Sequence, residues 1–306
     1  EVDAMRSITI GERIIDPDQL QDLLNNFEEL PTIPEILFQI LRILDDPDSG
    51  AGDLAEVVRL DAPLTARILR LANSPYYSTR GDMADIHRCI AVLGYRTIRQ
   101  VAICVSVATS VVTAAAKAQG ELDYRELWRH SVATGAIAKE LAEMTGYPQP
   151  EEIFTAGLLH DLGKFILEIY SPRSYGQVIR SRRDRGLSLV EAEREAFGFD
   201  HGVLGEAFGF SWRFPGLLNL CFGHHHDPEC FPAARSREDR ALGLVRLADY
   251  LAHTLAPAAG DLGFDEDRAR PALLQAAAGL NREDLEEARE DLLAAVVKSS
   301  IYLDLG

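Results

Sequence analysis

Apolar residues return at steps of three and four through nearly every segment of this chain, and strictly alternating runs are scarce. Ile36, Leu37, Ile40, Leu41 and Leu44 form one such stripe, and Leu54, Val57 and Val58 a second. Leu64, Ile68, Leu69 and Leu71 form a third, and Ile86, Ile90 and Leu93 a fourth. This period puts the apolar side chains on one side of an α-helix and on both faces of a strand. An all-α fold with no sheet of consequence is therefore predicted. The punctuation agrees. Leu30-Pro31-Thr32-Ile33-Pro34 is a turn ahead of the first helix, and Asp46-Pro47-Asp48-Ser49-Gly50 breaks the chain after it. Asp61 is placed to cap the third helix, with Pro63 tolerated in its first turn. Asn73-Ser74-Pro75-Tyr76-Tyr77 stops that helix, and Gly94 ends the fourth.

The uncharged run from Val101 to Ala116 is shorter than the ~20 residues needed to cross a bilayer. It is predicted to be a buried helix joining two halves, with Gly120 as the boundary. Beyond Pro257 the composition turns to Gly, Ala and Pro. Asn281 with Asp284 then signals the cap of one final amphipathic helix carrying Leu285, Leu292, Leu293 and Val296.

A hydrophobic share of 47% over 306 residues is enough for one large or two moderate domains. Lys plus Arg number 31 against 48 Asp plus Glu, a net charge of −17. That sign disfavours nucleic acid and anionic membranes as partners. Arg182, Arg183 and Arg185 are the one compact basic cluster, expected to be a solvated helix end able to attract a phosphate. Cys89, Cys104, Cys221 and Cys230 show no close pairing, as expected of reduced thiols in a cytoplasmic protein. The charged start has no apolar core of the kind a signal peptide carries.

The chemistry concentrates around Ala156-Gly157-Leu158-Leu159-His160-Asp161-Leu162-Gly163-Lys164. Adjacent His160 and Asp161 offer an imidazole and a carboxylate, a donor mix suited to a divalent metal of intermediate softness. The apolar run Phe154–Leu159 sets them on a buried helix end. Gly163 is expected to let the backbone pass close to whatever they bind. Lys164, three residues after Asp161, can reach the edge of a metal site without being a ligand. Its replacement is expected to leave stability unchanged and to weaken an anionic substrate's reaction.

Of eight histidines, six fall between Trp128 and His226. His130 starts a long helix, with Glu126 four residues before it on the same face. His201 heads another helix. His224, His225 and His226 follow one another. Asp249 sits in an apolar helix where a lone carboxylate needs a cation beside it. His87 and His253 read as ordinary surface or core residues.

The order His130, His160-Asp161, His201, His225-His226, Asp249 resembles the HD superfamily. So does Lys164, which matches the lysine of that family's His-Asp-x-Gly-Lys string. More narrowly, the chain resembles the HDOD family, the HD-related output domain of bacterial signalling proteins. The resemblance is carried by Leu30–Pro34, Asp61-Ala62-Pro63-Leu64-Thr65, Leu69-Arg70-Leu71-Ala72-Asn73-Ser74, Ala91-Val92-Leu93-Gly94, Gly157–Asp161 and Trp212-Arg213-Phe214-Pro215. It covers about residues 25 to 255. It implies an extension at 1–24, an N-terminal helical bundle at 25–118 packed on an HD-type helical domain at 119–255, and a helical extension at 256–306.

The resemblance also implies a metal set of Glu126, His130, His160, Asp161, His201, His225, His226 and Asp249. Glu126 matches an extra carboxylate of multi-metal members. His226-Asp227-Pro228 selects the second and third of the consecutive histidines. One or two divalent transition ions are implied, iron or manganese before zinc or nickel, since the set is too rich in nitrogen for magnesium.

Two functions follow from the resemblance. In the first, Asp161 and Lys164 serve a metal-dependent phosphohydrolase acting on a phosphoester, either a cyclic dinucleotide or a nucleotide monophosphate. The Gly-Tyr-Pro signature of HD-GYP enzymes does not follow the histidines; Asp227-Pro228-Glu229-Cys230-Phe231-Pro232 stands there and counts against cyclic di-GMP. In the second, the chain is a non-catalytic signalling module that binds a protein partner and keeps a structural or vestigial metal.

Overall fold

The computed structural model describes residues 35–45, 48–74, 76–77, 83–118, 120–226, 236–255 and 278–305. The Leu30–Pro34 turn, the 1–24 extension and the Gly/Ala/Pro-rich stretch after Pro257 lie outside the described residues. Among those described there are helices and no strand, so the chain is all-α as its periodicity requires.

Five helices make the N-terminal bundle: α1 (Glu35–Asp45), α2 (Ala51–Arg59), α3 (Ala62–Ala72), α4 (Ile86–Leu93) and α5 (Tyr95–Val107). Their stripes meet in one core, where Leu37, Ile40, Leu54, Val58, Ile68, Leu71 and Ile86 are all buried. Asp61 caps α3 as predicted, accepting from the Leu64 N–H at 2.7 Å.

The joining helix is longer than its uncharged run suggested. After α5 come a π-helical turn (Ala108–Val112) and α6 (Thr113–Ala118). The helical run Tyr95–Ala118 is 24 residues long, with a mean hydropathy of 1.8 in its most apolar window. By length and apolarity it is therefore sufficient to span a bilayer. Yet 61% of that window is buried inside the protein, where Ile98, Val101, Ile103 and Val105 fill the core between the halves. Arg96, Arg99 and Lys117 flank the uncharged run without ending the helix.

The second half begins with α7 (Tyr124–Met144) and α8 (Pro150–Leu159), which pack closely. A Cβ on Gly157 would lie 3.0 Å from the Cα of Gly135, so these two glycines set the crossing. The chain continues through α9 (Leu162–Tyr170), α10 (Pro172–Arg185), α11 (Leu189–Phe197), α12 (His201–Ser211), α13 (Gly216–His224) and α14 (Arg237–Leu255). The expected final helix is two, α15 (Arg282–Glu287) and α16 (Arg289–Lys298), because the backbone turns at Ala288. Asn281 and Asp284 do form the expected capping box.

A 3₁₀ segment, Ser299–Leu305, follows, for which the sequence carried no helical stripe. It seats on both halves. Tyr302 Oη is 2.6 Å from Tyr77 Oη, and Trp128 Nε1 donates to the Tyr302 carbonyl at 3.1 Å.

Candidate metal centre

Five chain segments converge at one end of the α7–α8 pair. His130 comes from α7. His160 and Asp161 occupy the kink between α8 and α9. His201 opens α12, His225 and His226 follow α13, and Asp249 comes from α14. The convergence depends on helix ends meeting without bulk. A Cβ on Gly163 would lie 1.9 Å from the His201 carbonyl oxygen. Gly163 thus lets α9 approach the start of α12; it is a neighbouring backbone, not a ligand, that comes close to it.

The donor atoms form two groups, each with its members within 4.8 Å of one another: Asp161, His201, His225 and His226, and His130, His160 and Asp249. Asp161 stands between them. Its Oδ1 is 3.4 Å from Nε2 of both His201 and His225. Its Oδ2 is 3.4 Å from His160 Nε2 and 3.9 Å from His130 Nε2. Asp249 Oδ1 is 3.0 Å from His130 Nε2 and 3.6 Å from His160 Nε2.

Three rings have their tautomer set by their partners. His160 Nδ1 lies 2.7 Å from the Gly157 carbonyl, and His225 Nδ1 lies 2.9 Å from the Phe222 carbonyl. His201 Nδ1 lies 2.6 Å from a carboxylate oxygen of Glu193. Each partner only accepts, so each Nδ1 carries the proton and donates it. Nε2 is thereby the ring nitrogen turned to the centre, the arrangement metal-binding histidines use.

Those inward atoms are left over. Nε2 of His160, His201 and His225, together with Oδ1 of Asp161 and of Asp249, are buried without a well-directed hydrogen bond among the described residues. Polar atoms so placed are costly unless something meets them. A divalent cation fits this donor set of imidazole nitrogen and carboxylate oxygen.

Electrostatics already favours the ligating forms of several groups. Burial opposes ionisation of Asp161, but His160 and Lys164 hold its carboxyl well below the usual range. Asp249 is also held low against its burial, by the imidazoles of His130, His160 and His253 gathered around it. Burial pushes His130 down to about 4, against the pull of Asp249. Burial likewise lowers His225, whereas Glu193 holds His201 up at about 9 and Asp161 raises His160, both against their burial, so a cation has to displace a proton from His201.

Most residues expected from the sequence are brought together, and the exceptions have physical reasons. Glu126 stands outside both groups. It lies in the first turn of α7 and pairs with Arg129, whose Nη1 is 2.5 Å away. Of the consecutive histidines, His225 and His226 join Asp161, while His224 turns towards Glu206 at 3.9 Å. Lys164 is not on an open edge: it is 4% exposed, and its Nζ donates to Asp161 Oδ2 at 2.7 Å.

Two residues escaped the sequence reading. His253 is 3.5 Å from Asp249 Oδ1, and its ring lies 4.2 Å from that of His130. The signal was its four-residue step from Asp249. Glu193 is fully buried beside His201. Its place four residues after Leu189, on an apolar stripe, was the signal. His87 stays at the surface of the N-terminal bundle, near Arg59 and Glu56.

Comparison with known proteins places this architecture. An uncharacterized protein of Treponema pallidum (strain Nichols) is 22% identical over 206 residues, covering 67% of this chain and 39% of that protein. The chain thus spans about two fifths of the length of that curated relative. The crystal structure of an HDOD domain protein of unknown function from Geobacter sulfurreducens is 26% identical with a TM-score of 0.72, covering 92% of this chain and 97% of that one. A candidate phosphohydrolase from Shewanella amazonensis SB2B shares the fold at 24% identity and a TM-score of 0.69, with the same coverage. The HDOD domain family model matches residues 30–228, from the first turn to just past the histidine run, and the chain belongs to the HDOD family.

Proposed function

We propose that this HDOD chain binds one or two divalent transition ions between the two donor groups and hydrolyses a phosphoester there. The observation that carries the reading is the set of five inward donor atoms, buried and without a well-directed hydrogen bond among the described residues. An ion held there would supply Lewis acidity towards a phosphoryl oxygen. His201, His225 and His226 would hold one position and His130, His160 and Asp249 the other. Asp161 would serve both through its two oxygens. Lys164 would add a fixed positive charge against a phosphoryl group as charge builds on it. The nitrogen-rich set favours iron or manganese over magnesium. The Shewanella protein's name is in line with this reading.

One observation favours the second reading, a non-catalytic signalling module with a structural metal. His130, His160, Asp161, His201 and His225 are each 3% exposed or less, a setting as suited to holding an element together as to admitting a substrate.

Elemental analysis of the purified protein, with hydrolysis assays on a simple aryl phosphodiester, an aryl phosphomonoester and cyclic dinucleotides, separates the two. The enzyme reading expects bound metal and turnover, both lost in the His160→Ala/Asp161→Ala double variant. Lys164→Ala should keep the metal and lose about a hundredfold in turnover, the scale of one electrostatic contact in a dry site. It should also melt earlier once chelated, because a buried carboxylate then loses its ion-pair partner. A fully metal-loaded parent inert on the whole panel would leave the signalling module as the function.

A further inference from the structure

Neither α10 nor α11 supplies a donor to the centre, yet α11 grips the start of α12 through two successive side chains. Arg194 Nε donates to Asp200 Oδ2 at 2.8 Å, and Asp200 in turn caps α12 by accepting from the Val203 N–H at 3.0 Å. One residue earlier, Glu193 turns inward. Its Oε2 accepts from the backbone N–H of His201 at 3.0 Å and from the ring Nδ1–H of the same residue at 2.6 Å. Its Oε1 accepts from the Tyr175 hydroxyl on α10 at 2.9 Å. Glu193 and Tyr175 are 0% exposed and His201 is 1% exposed.

A packing role does not account for a carboxylate here. Its place on the stripe of Leu189 suits an aliphatic side chain, and burying the charge is costly unless every oxygen is met. Both oxygens are met, and two of the three donors belong to a single residue of the centre. The contrast with the other rings is informative. His160 and His225 rest their Nδ1–H on neutral carbonyls within their own helical turns. His201, the first residue of its helix, has no preceding turn to rest on, and a carboxylate from another element takes that place. A charged acceptor at Nδ1 makes the opposite nitrogen a stronger donor than a carbonyl does.

We propose that Tyr175, Glu193 and His201 form a positioning relay, in which Glu193 fixes the His201 ring and strengthens its Nε2 as the donor that retains a divalent cation beside Asp161. The relay rests on the metal reading above. Glu193 acts through His201 and is not itself a ligand, since both of its oxygens are engaged.

The test uses the metal-stripped full chain with Zn²⁺ alone as the probe. Affinity is read by competition with a chromophoric chelator, and histidine ring signals by NMR of ¹⁵N-histidine-labelled protein. The ion whose addition moves the His201 ring nitrogens is the one in question. Glu193→Gln keeps the side-chain length and an acceptor for the His201 N–H but removes the charge. It is expected to weaken that ion by about 10- to 100-fold, the usual effect of removing an outer partner of a metal-binding histidine. Tyr175→Phe should weaken it in the same direction by about two- to tenfold, the loss of one hydrogen bond that orients the carboxylate. Glu193→Asp, which restores the charge, should recover part of what Glu193→Gln loses. The downfield His201 Nδ1–H signal should move upfield in Glu193→Gln while those of His160 and His225 hold their places.

Should Glu193→Gln not fold, the Tyr175→Phe and Glu193→Asp arms decide alone. Equal Zn²⁺ affinity in parent and variants, or a Glu193→Asp no better than Glu193→Gln, overturns the relay and leaves the metal reading standing. A parent that takes up no Zn²⁺ overturns the metal reading, and the relay with it.

Discussion

Asp161 faces two sets of imidazoles and gives one oxygen to each. Lys164 is the cation that balances it, 2.7 Å from the oxygen turned to His160 and His130. The imidazoles do not respond alike to pH. Burial keeps His130 neutral in the fold, with its value at about 4 against an ordinary 6.5. Between those values the unfolded chain takes up a proton that the folded chain refuses, so stability falls as pH drops from about 6.5 to about 4. For the chelated protein this contribution is about 3 kcal/mol, from 1.36 kcal/mol per pH unit. Denaturant titrations of chelated parent and His130→Gln at pH 6.5 and pH 4.5 should show a smaller acid loss in the variant; equal losses would refute the assignment. The residues around this carboxylate were legible because His and Asp are rare on apolar helix stripes. Glu126 misled because four-residue spacing reports a shared face, not which end of the helix the face leaves exposed. Glu193 was hidden because its partner lies on another helix.

At the scale of elements, the sequence marks helices through their buried stripes and caps, and α1 to α4 appear where those marks stand. It marks breaks poorly. The turn at Ala288 and the π-helical turn at Ala108–Val112 involve no Gly or Pro, and their backbone is set by packing against α7 and α9. Gly163 is the opposite case, a visible residue whose purpose only the packing reveals. Gly163→Ala would drive a methyl group into the His201 carbonyl, which cannot give way without moving α12. Overpacking of this kind typically costs about 1 to 3 kcal/mol. Here it should also displace His201 from Asp161. A lower melting temperature together with reduced Zn²⁺ uptake is the expected result; a variant with parental uptake would show that α9 and α12 can part without harm to the centre.

Across the whole molecule, the joining helix is one bond between the halves and the 3₁₀ segment is another. Tyr302 packs on Phe154 and Tyr76 as well as pairing with Tyr77, and Arg67 of α3 donates to the Leu305 carbonyl at 2.9 Å. This second tie, 225 residues along the chain from Tyr77, was invisible in the sequence because a lone tyrosine carries no record of what it will touch. Calorimetry of the parent is expected to give one transition whose measured and van't Hoff enthalpies agree. Tyr302→Ala should cost about 3 to 5 kcal/mol, the range for a large aromatic core residue, and should separate the melting of α1–α5 from that of α7–α14. If the variant still melts in one step, the joining helix and the contacts of Tyr76 with Phe154 and Lys139 suffice to couple the halves. The small clasp has a wider consequence. Two bodies fastened in this way share one free-energy surface, so a change that loosens or tightens the histidine cluster is expected to alter how readily the N-terminal bundle opens.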